Sequence, residues 1–384
     1  MQLLKLTGEK IMAKTLTIAH NYQDPIVHQI VRQNNGIIGG TTAICRAGKE
    51  MCDKSNETAV ICSVAFMIED FVTLSGGGVK ALTPIAQIKD GKYCVSRCPM
   101  ISEQGSSLGT LKPEVIKNVA KKYPDAPIGV NINNCVAIKA REEVSFVFNS
   151  TKAIHVLEEV AKKKVSDTVV LVGNTNVNLY VQKIIESKFP NFKIVSVPNS
   201  LQCPPHSQIG AGDLMLEWED AVQEYGKENV GIVAHAECDS YLVDWVLKNG
   251  GEISGSGGIF SVIKNSEKPV HIVATVEGFP QRMRNEIPGK TILSPNVLCP
   301  NMKFIGRDNG WWVKNAVKIA KNDGEVAGRL VVKNLSYPYY EFEYVGGGRV
   351  IERSDDSLIL GPCEIIVDQA FIDKAAESMQ TLFQ

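Results

Sequence analysis

A single pattern, written three times, limits what this chain can fold into. Short apolar runs alternate with helix-like stretches in units of roughly a hundred residues. First strands are expected at 15–19, 127–130 and 230–234. Each ends in a polar cluster: His20-Asn21-Tyr22-Gln23, Asn131-Ile132-Asn133-Asn134 and His235-Ala236-Glu237-Cys238. Second strands, at 36–40, 144–148 and 252–254, run into Gly39-Gly40-Thr41-Thr42, Asn149-Ser150-Thr151 and Gly255-Ser256-Gly257-Gly258. Third strands are expected at 59–62, 168–172 and 270–274. Fourth strands carry the chain through proline-containing turns to Cys98, Cys203 and Cys299.

Apolar strands joined by helical crossovers form parallel sheets with helices on both faces, and their connections are right-handed. Ligands bind beyond the carboxyl ends of such strands, which is where the polar clusters fall. One Gly/Ser/Asn/Thr cluster is ordinary turn and N-cap chemistry. Three in matching positions point to a shared site. The expected fold is α/β: three similar three-layer α/β domains with parallel sheets, in a pseudo-three-fold arrangement around a central iron–sulfur site. The repeats are placed at 1–97, 98–202 and 203–298. The segment 299–384 begins with a helix around 311–320. A β-hairpin insertion is expected over about 331–360, containing Gly346-Gly347-Gly348, and an amphipathic helix over 369–383 closes the chain.

The cysteines carry the chemical expectation. The two later copies are nearly superimposable, Val197-Pro198-Asn199-Ser200-Leu201-Gln202-Cys203 and Ser294-Pro295-Asn296-Val297-Leu298-Cys299. Ten cysteines without a secretory leader argue for a reducing cytoplasm and against a disulfide framework. No CxxC pair occurs, so a metal site has to be assembled from distant segments. Thiolates from Cys98, Cys203 and Cys299 would suit a four-iron cluster with one iron left open, able to act as a Lewis acid in loss of water. Cys94 competes with Cys98 on spacing alone, and zinc is an alternative metal for the same thiols. Cys45, Cys52 and Cys62 read as small packing residues. His20, His235, His206, Glu237 and Tyr22 form a candidate acid/base set; His206, in Cys203-Pro204-Pro205-His206, lies beside any group that Cys203 holds.

Other function classes recede. The formal net charge is −1. The lysine runs Lys121-Lys122 and Lys162 to Lys164 read as solvated helix faces, so neither nucleic acid nor a membrane surface is an expected partner. No apolar run is long enough to span a bilayer, and the first fourteen residues lack a signal peptide's apolar core.

Taken together, these motifs resemble the quinolinate synthase family. The segments that carry the resemblance are His20-Asn21-Tyr22-Gln23, Phe66-Met67 with Glu69, Cys98-Pro99-Met100, Cys203 to His206, His235-x-Glu237-Cys238 and Cys299-Pro300-Asn301-Met302, with 363–383 resembling the family's closing strand and helix. The resemblance implies three α/β domains about a pseudo-three-fold axis. It implies a [4Fe-4S] cluster on Cys98, Cys203 and Cys299, the fourth iron open to substrate. It also implies condensation of iminoaspartate with dihydroxyacetone phosphate to quinolinate, a precursor of NAD, and a link to an enzyme that produces iminoaspartate. By the same resemblance, His20 and Tyr22 line the site, Tyr22 aiding proton transfer, and His235 and Glu237 act in acid/base steps. Thr41, Asn133, Ser150, His206 and Ser256 would contact substrate. This chain departs from the family pattern at Asn131, where a tyrosine is usual, at Gly40 in place of Asp, at Ala236 in place of Pro, and at Gly255 and Gly257 in place of hydroxyl residues. Another lyase or condensing enzyme on the same frame, or a non-catalytic cluster-binding protein, are the competing readings.

Overall fold

The fold was described from a computed structural model, which describes residues 15–52, 54, 57–89, 92–95, 113–197, 202–332, 340–347, 349–352 and 357–383. Strands β1 (Thr15–His20), β2 (Ile37–Gly39), β3 (Thr58–Cys62) and β4 (Lys80–Thr83) run parallel in the order β4-β3-β1-β2. A hairpin follows, β5 (Ala86–Lys89) and β6 (Lys92–Val95). Then β7 (Ile128–Asn131), β8 (Phe146–Phe148), β9 (Thr168–Val172) and β10 (Lys193–Ser196) form a second parallel sheet, β10-β9-β7-β8. A third, β14-β13-β11-β12, contains β11 (Val230–His235), β12 (Glu252–Ser254), β13 (Val270–Ala274) and β14 (Thr291–Leu293). The same connectivity therefore occurs three times. In each copy the first strand lies between the second and third.

The central strands explain this outcome. β3 and β13 are Val/Ile/Ala-rich and buried throughout, as central parallel strands covered on both faces must be. Their side chains alternate between faces: Ala59 and Ile61 enter one apolar cluster, Val60 and Cys62 another. Val170 and Val172 of β9 share the cluster of Ile61, so the first and second sheets pack into one core. Val169 and Leu171 face the opposite way, onto the helices Ala153–Lys163 and Thr175–Lys188. Cys45 and Cys62 are buried as expected, but Cys52 is exposed just beyond the helix Thr41–Glu50, so packing does not account for it. No helix among the described residues is long and apolar enough to cross a membrane.

The C-terminal segment differs from a single inserted hairpin. β15 (Gly328–Val332) pairs antiparallel with β16 (Tyr340–Tyr344), and β17 (Arg349–Glu352) pairs antiparallel with β18 (Ser357–Gly361). β18 also pairs with β5, building the sheet β17-β18-β5-β6. β19 (Cys363–Val367) inserts between β15 and β4, so the first sheet becomes β16-β15-β19-β4-β3-β1-β2. Around the glycine turn the chain stays tied to residues 326–327: Val345 N–H donates to Ala327 O and Gly347 N–H to Val326 O. A Cβ at Gly347 would lie 2.6 Å from Glu325 Cβ. The turn therefore separates two pairs of strands instead of closing one.

The helix Ala65–Leu74 is buried along its whole length, including Glu69 and Asp70. Glu69 Oε2 accepts from Val136 N–H at 2.7 Å, and Lys139 pairs with Asp70, both side chains fully buried. Burial pushes the Asp70 carboxyl up to about 6 against the pull of Lys139. Asp70→Ala would strand a buried ammonium. It is expected to lower unfolding free energy by about 3–5 kcal/mol, measured as a shift in the urea midpoint at unchanged m-value.

Candidate active site

The first strand of each sheet ends in the same turn. His20 Nδ1 accepts from Tyr22 N–H (3.2 Å), Asn131 Oδ1 from Asn133 N–H (3.0 Å), and His235 Nδ1 from Glu237 N–H (3.3 Å). Behind each, the strand-end carbonyl accepts a second bond, from Gln23, Asn134 and Cys238 N–H. The turn holds the side chain two residues on, Tyr22, Asn133 or Glu237, toward a common cavity of about 440 Å³. Because their Nδ1 atoms accept, His20 and His235 carry their protons on Nε2. Burial lowers both pKa values to about 3, which keeps the rings neutral.

The turns after the second strands meet one another at the same cavity. Asn149 Nδ2 donates to Thr42 Oγ1 at 2.8 Å. A Cβ on Gly40 would lie 3.6 Å from Ser256 Cβ, and one on Gly255 would lie 2.2 Å from Thr151 Oγ1 and 2.6 Å from Ser150 Oγ. Position 255 thus has no room for the hydroxyl residue that the resemblance leads one to expect. Thr41 and Ser256 open helices at N1, and Lys152 caps a third. Three helix N-termini, with partial positive charge, therefore flank the cavity. Among the described residues, Arg46, Lys152 and Arg282 line it as well, with Glu237 as the one carboxylate. Arg282 donates to Asn21 Oδ1 and pairs with Glu286.

Two thiols line the cavity as well. Cys203 and Cys299 are N-caps of two short proline-led helices, Pro204–Ser207 and Pro300–Ile305, with nearly identical backbones (φ −79°, ψ 107° and φ −89°, ψ 112°). Burial raises the Cys299 pKa, while Met302 and Asn301 N–H donate to its sulfur. Soft thiol donors with backbone N–H bonds to sulfur fit a thiolate-held metal cluster. His206, fully buried, lies with Nδ1 3.1 Å from Cys203 Sγ and 3.0 Å from Glu237 Oε2. Cys203, His206 and Glu237 each bring a ligand-type atom within 4.8 Å of the others. Glu237 also accepts from Asn133 Nδ2 at 2.6 Å. Burial disfavours its ionisation, but the His206 and Asn133 bonds and the adjacent His235 prevail and hold it below the usual carboxylate range. Tyr22 is driven the other way, burial and the Glu237 charge raising its pKa well above the ordinary value.

Comparison with known proteins decides the family. The profile described as Quinolinate synthetase A protein matches residues 5–327. The chain belongs to this family. A quinolinate synthase of Methanocaldococcus jannaschii is 26% identical over 308 residues, covering 78% of this chain and 85% of that protein. One from Clostridium kluyveri is 26% identical over 298 residues (77% and 83%), and one from Clostridioides difficile 24% over 337 (87% and 94%).

Within this quinolinate synthetase frame, His20, Tyr22, Thr41, Asn133, Ser150, Cys203, His235, Glu237, Ser256 and Cys299 all line the one cavity. His206 stands behind the wall, stacked on His235 with ring centroids 4.4 Å apart. Cys98 lies outside the described residues; its rival Cys94 is on β6. Sequence reasoning missed Arg46, Lys152 and Arg282, which line the cavity, and Thr275, whose Oγ1 lies 3.1 Å from His206 Nε2. Lys152 follows Ser150-Thr151 directly, so its place in the repeat was the available signal. Asn131, read as the loss of a tyrosine, keeps the turn-capping part that His20 and His235 play in the other two sheets.

Proposed function

We propose that this protein is a quinolinate synthase. It condenses iminoaspartate with dihydroxyacetone phosphate, releasing two waters and phosphate, to give quinolinate for pyridine nucleotide synthesis. The observation that carries this reading is the convergence of three like turns, bearing Tyr22, Asn133 and Glu237, on one cavity bordered by Cys203 and Cys299. The repeated sheet connectivity supports three α/β repeats, 1–97, 98–202 and 203–298, in a pseudo-three-fold arrangement, with 299–384 as a further segment. Cys98, Cys203 and Cys299 would hold a [4Fe-4S] cluster. When bound, such a cluster supplies an open Lewis-acidic iron for loss of water.

The chain's own groups account for the rest. Glu237, an anion beside neutral His235 and oriented by Asn133, takes and returns protons at carbon and oxygen centres. Tyr22, protonated at all working pH values, donates. His20 offers its Nε2 proton to a substrate oxygen. Thr41, Ser150 and Ser256 present hydroxyls at helix N-termini, which suit carboxylate or phosphate. Thr42 and Arg46 lie one helical turn apart, and Asn149 bridges Thr42 to the turn that bears Lys152. The two cations therefore serve the same anionic end of the substrates. Iminoaspartate hydrolyses readily, so handover from an enzyme that forms it suits this chemistry. A reducing cytoplasm suits the thiols.

Anaerobic turnover of iminoaspartate and dihydroxyacetone phosphate by cluster-replete protein, with quinolinate detected, tests the reading. Cluster-replete protein that forms none would instead mark an enzyme for a different carbonyl or dicarboxylate. In the same assay Lys152→Ala is expected to raise KM for dihydroxyacetone phosphate about tenfold with little change in kcat, the value of one lost charge-assisted contact.

A further inference from the structure

Glu277 immediately precedes the helix Gly278–Glu286, yet its buried carboxylate does not cap that helix. It turns instead to the segment that leads into Cys299. One oxygen pairs with Arg284 Nη1, and the other accepts from Ser294 Oγ. Arg284 has two more donors in use, Nη2 to Ser294 Oγ at 3.1 Å and Nε to Ile292 O at 2.8 Å. The Glu277 N–H donates to Val297 O at 2.8 Å. One ion pair and one amide therefore pin residues 292, 294 and 297. They bracket Pro295 and the left-handed Asn296 (φ 54°), and Cys299 follows two residues after the last pinned point. The matching position of the second copy is Val197, which has no hydroxyl to join such a pair. The same corner also meets the first sheet. A Cβ at Gly278 would lie 2.6 Å from Tyr22 C and from Gln23 O, so a glycine is needed where this backbone meets the turn that bears Tyr22. Gln23 Nε2 reaches Met302 Sδ at 3.2 Å, and the Met302 N–H bonds the Cys299 sulfur. The contacts close a circuit: from the Tyr22-Gln23 turn through Gly278, Glu277 and Val297 to Cys299, and back through Met302.

We propose that Glu277, Arg284 and Ser294 are positioning residues, a clamp that sets the Cys299 sulfur at a fixed place relative to the Tyr22 turn before any metal is bound. The proposal rests on the reading of Cys299 as a cluster ligand. A buried polar network with its members satisfied specifies one geometry, and breaking it leaves a buried charge unpaired. Without the clamp the segment gains freedom, and a ligand that must be ordered on binding holds its metal less tightly. None of the three residues lines the cavity, so the clamp acts through Cys299.

In protein prepared without cluster, iodoacetamide labelling followed by peptide mass spectrometry reads Cys299 and Cys203 separately; both are part-exposed. Glu277→Gln and Ser294→Ala should each speed labelling at Cys299 about tenfold and leave Cys203 within about twofold of wild type. In cluster-replete protein the same variants should release iron to the chelator bathophenanthroline disulfonate about 10- to 100-fold faster, the span for one lost charge-assisted bond. Ser294→Thr, which keeps the hydroxyl, should match wild type. Adding Arg284→Met to Glu277→Gln should change release by no more than about twofold further, because the pair acts as one unit. Unchanged labelling and iron release in both Glu277→Gln and Ser294→Ala would overturn the proposal. So would equal acceleration at Cys203, which marks general loosening, or a Ser294→Thr protein as labile as Ser294→Ala. Should Glu277→Gln fail to fold, judged by circular dichroism, Ser294→Ala decides; misfolding of both makes the clamp merely structural and overturns it. If wild type takes up no iron, the cluster reading fails while the labelling still judges the clamp.

Discussion

Cys203→Ala protein, purified without oxygen, is expected to be colourless and inactive. Wild type should be brown, with about four irons per chain, as a cubane cluster requires. Cys203 caps the helix Pro204–Ser207 and its sulfur is 3.1 Å from His206, so removing it takes away a ligand and leaves a gap beside the acid/base groups. Cys299 holds the equivalent cap, and Cys299→Ala should behave alike. Cys45→Ala is the control: Cys45 is buried in the helix Thr41–Glu50 and does not line the cavity, so its iron content should match wild type. Iron and sulfide analysis with visible absorption decides the matter. Stoichiometric zinc in colourless wild-type protein would reject the cluster and leave a zinc site on the same thiols.

Glu237→Gln is expected to lower kcat by about 10²- to 10⁴-fold, the span for loss of a general acid/base group, while iron content stays at wild-type level. The substitution is nearly isosteric but reverses the local logic. The Gln amide can accept from Asn133 or from His206, yet its NH₂ end must then face the other donor. Either the amide NH₂ faces Nδ1–H or His206 changes tautomer, which alters its contact with Thr275 Oγ1 at 3.1 Å. Quinolinate formation rates with parallel iron analysis separate this loss from loss of cluster.

Much of this site could be read from the sequence because of where parallel strands end. His20, Asn131 and His235 each close a buried apolar run, and residues at such ends face ligand whatever their type. The groups that were missed carry no such marker. Thr275 is an ordinary turn residue after a strand, and only the folded chain brings it to His206, 69 positions away in sequence. Arg46 and Lys152 look like solvated cations on helices; what gives them a role is Asn149 reaching across to Thr42. The C-terminal strands show the same limit. Their alternation signals antiparallel pairing, but the partners of β18 and β19 lie near residues 81–89, and local pattern has no means of naming them.

That last pairing has a consequence for how the protein is made. β4 carries an open edge until residues 363–367 have left the ribosome, while the second and third sheets have all their strands by residue 293. The two later sheets can close during synthesis, but the earliest must wait for β19, its unpaired edge open to other strands. The N-terminal part of the protein is therefore the last to be finished, and a message cut short before β19 yields a chain with a sticky first sheet.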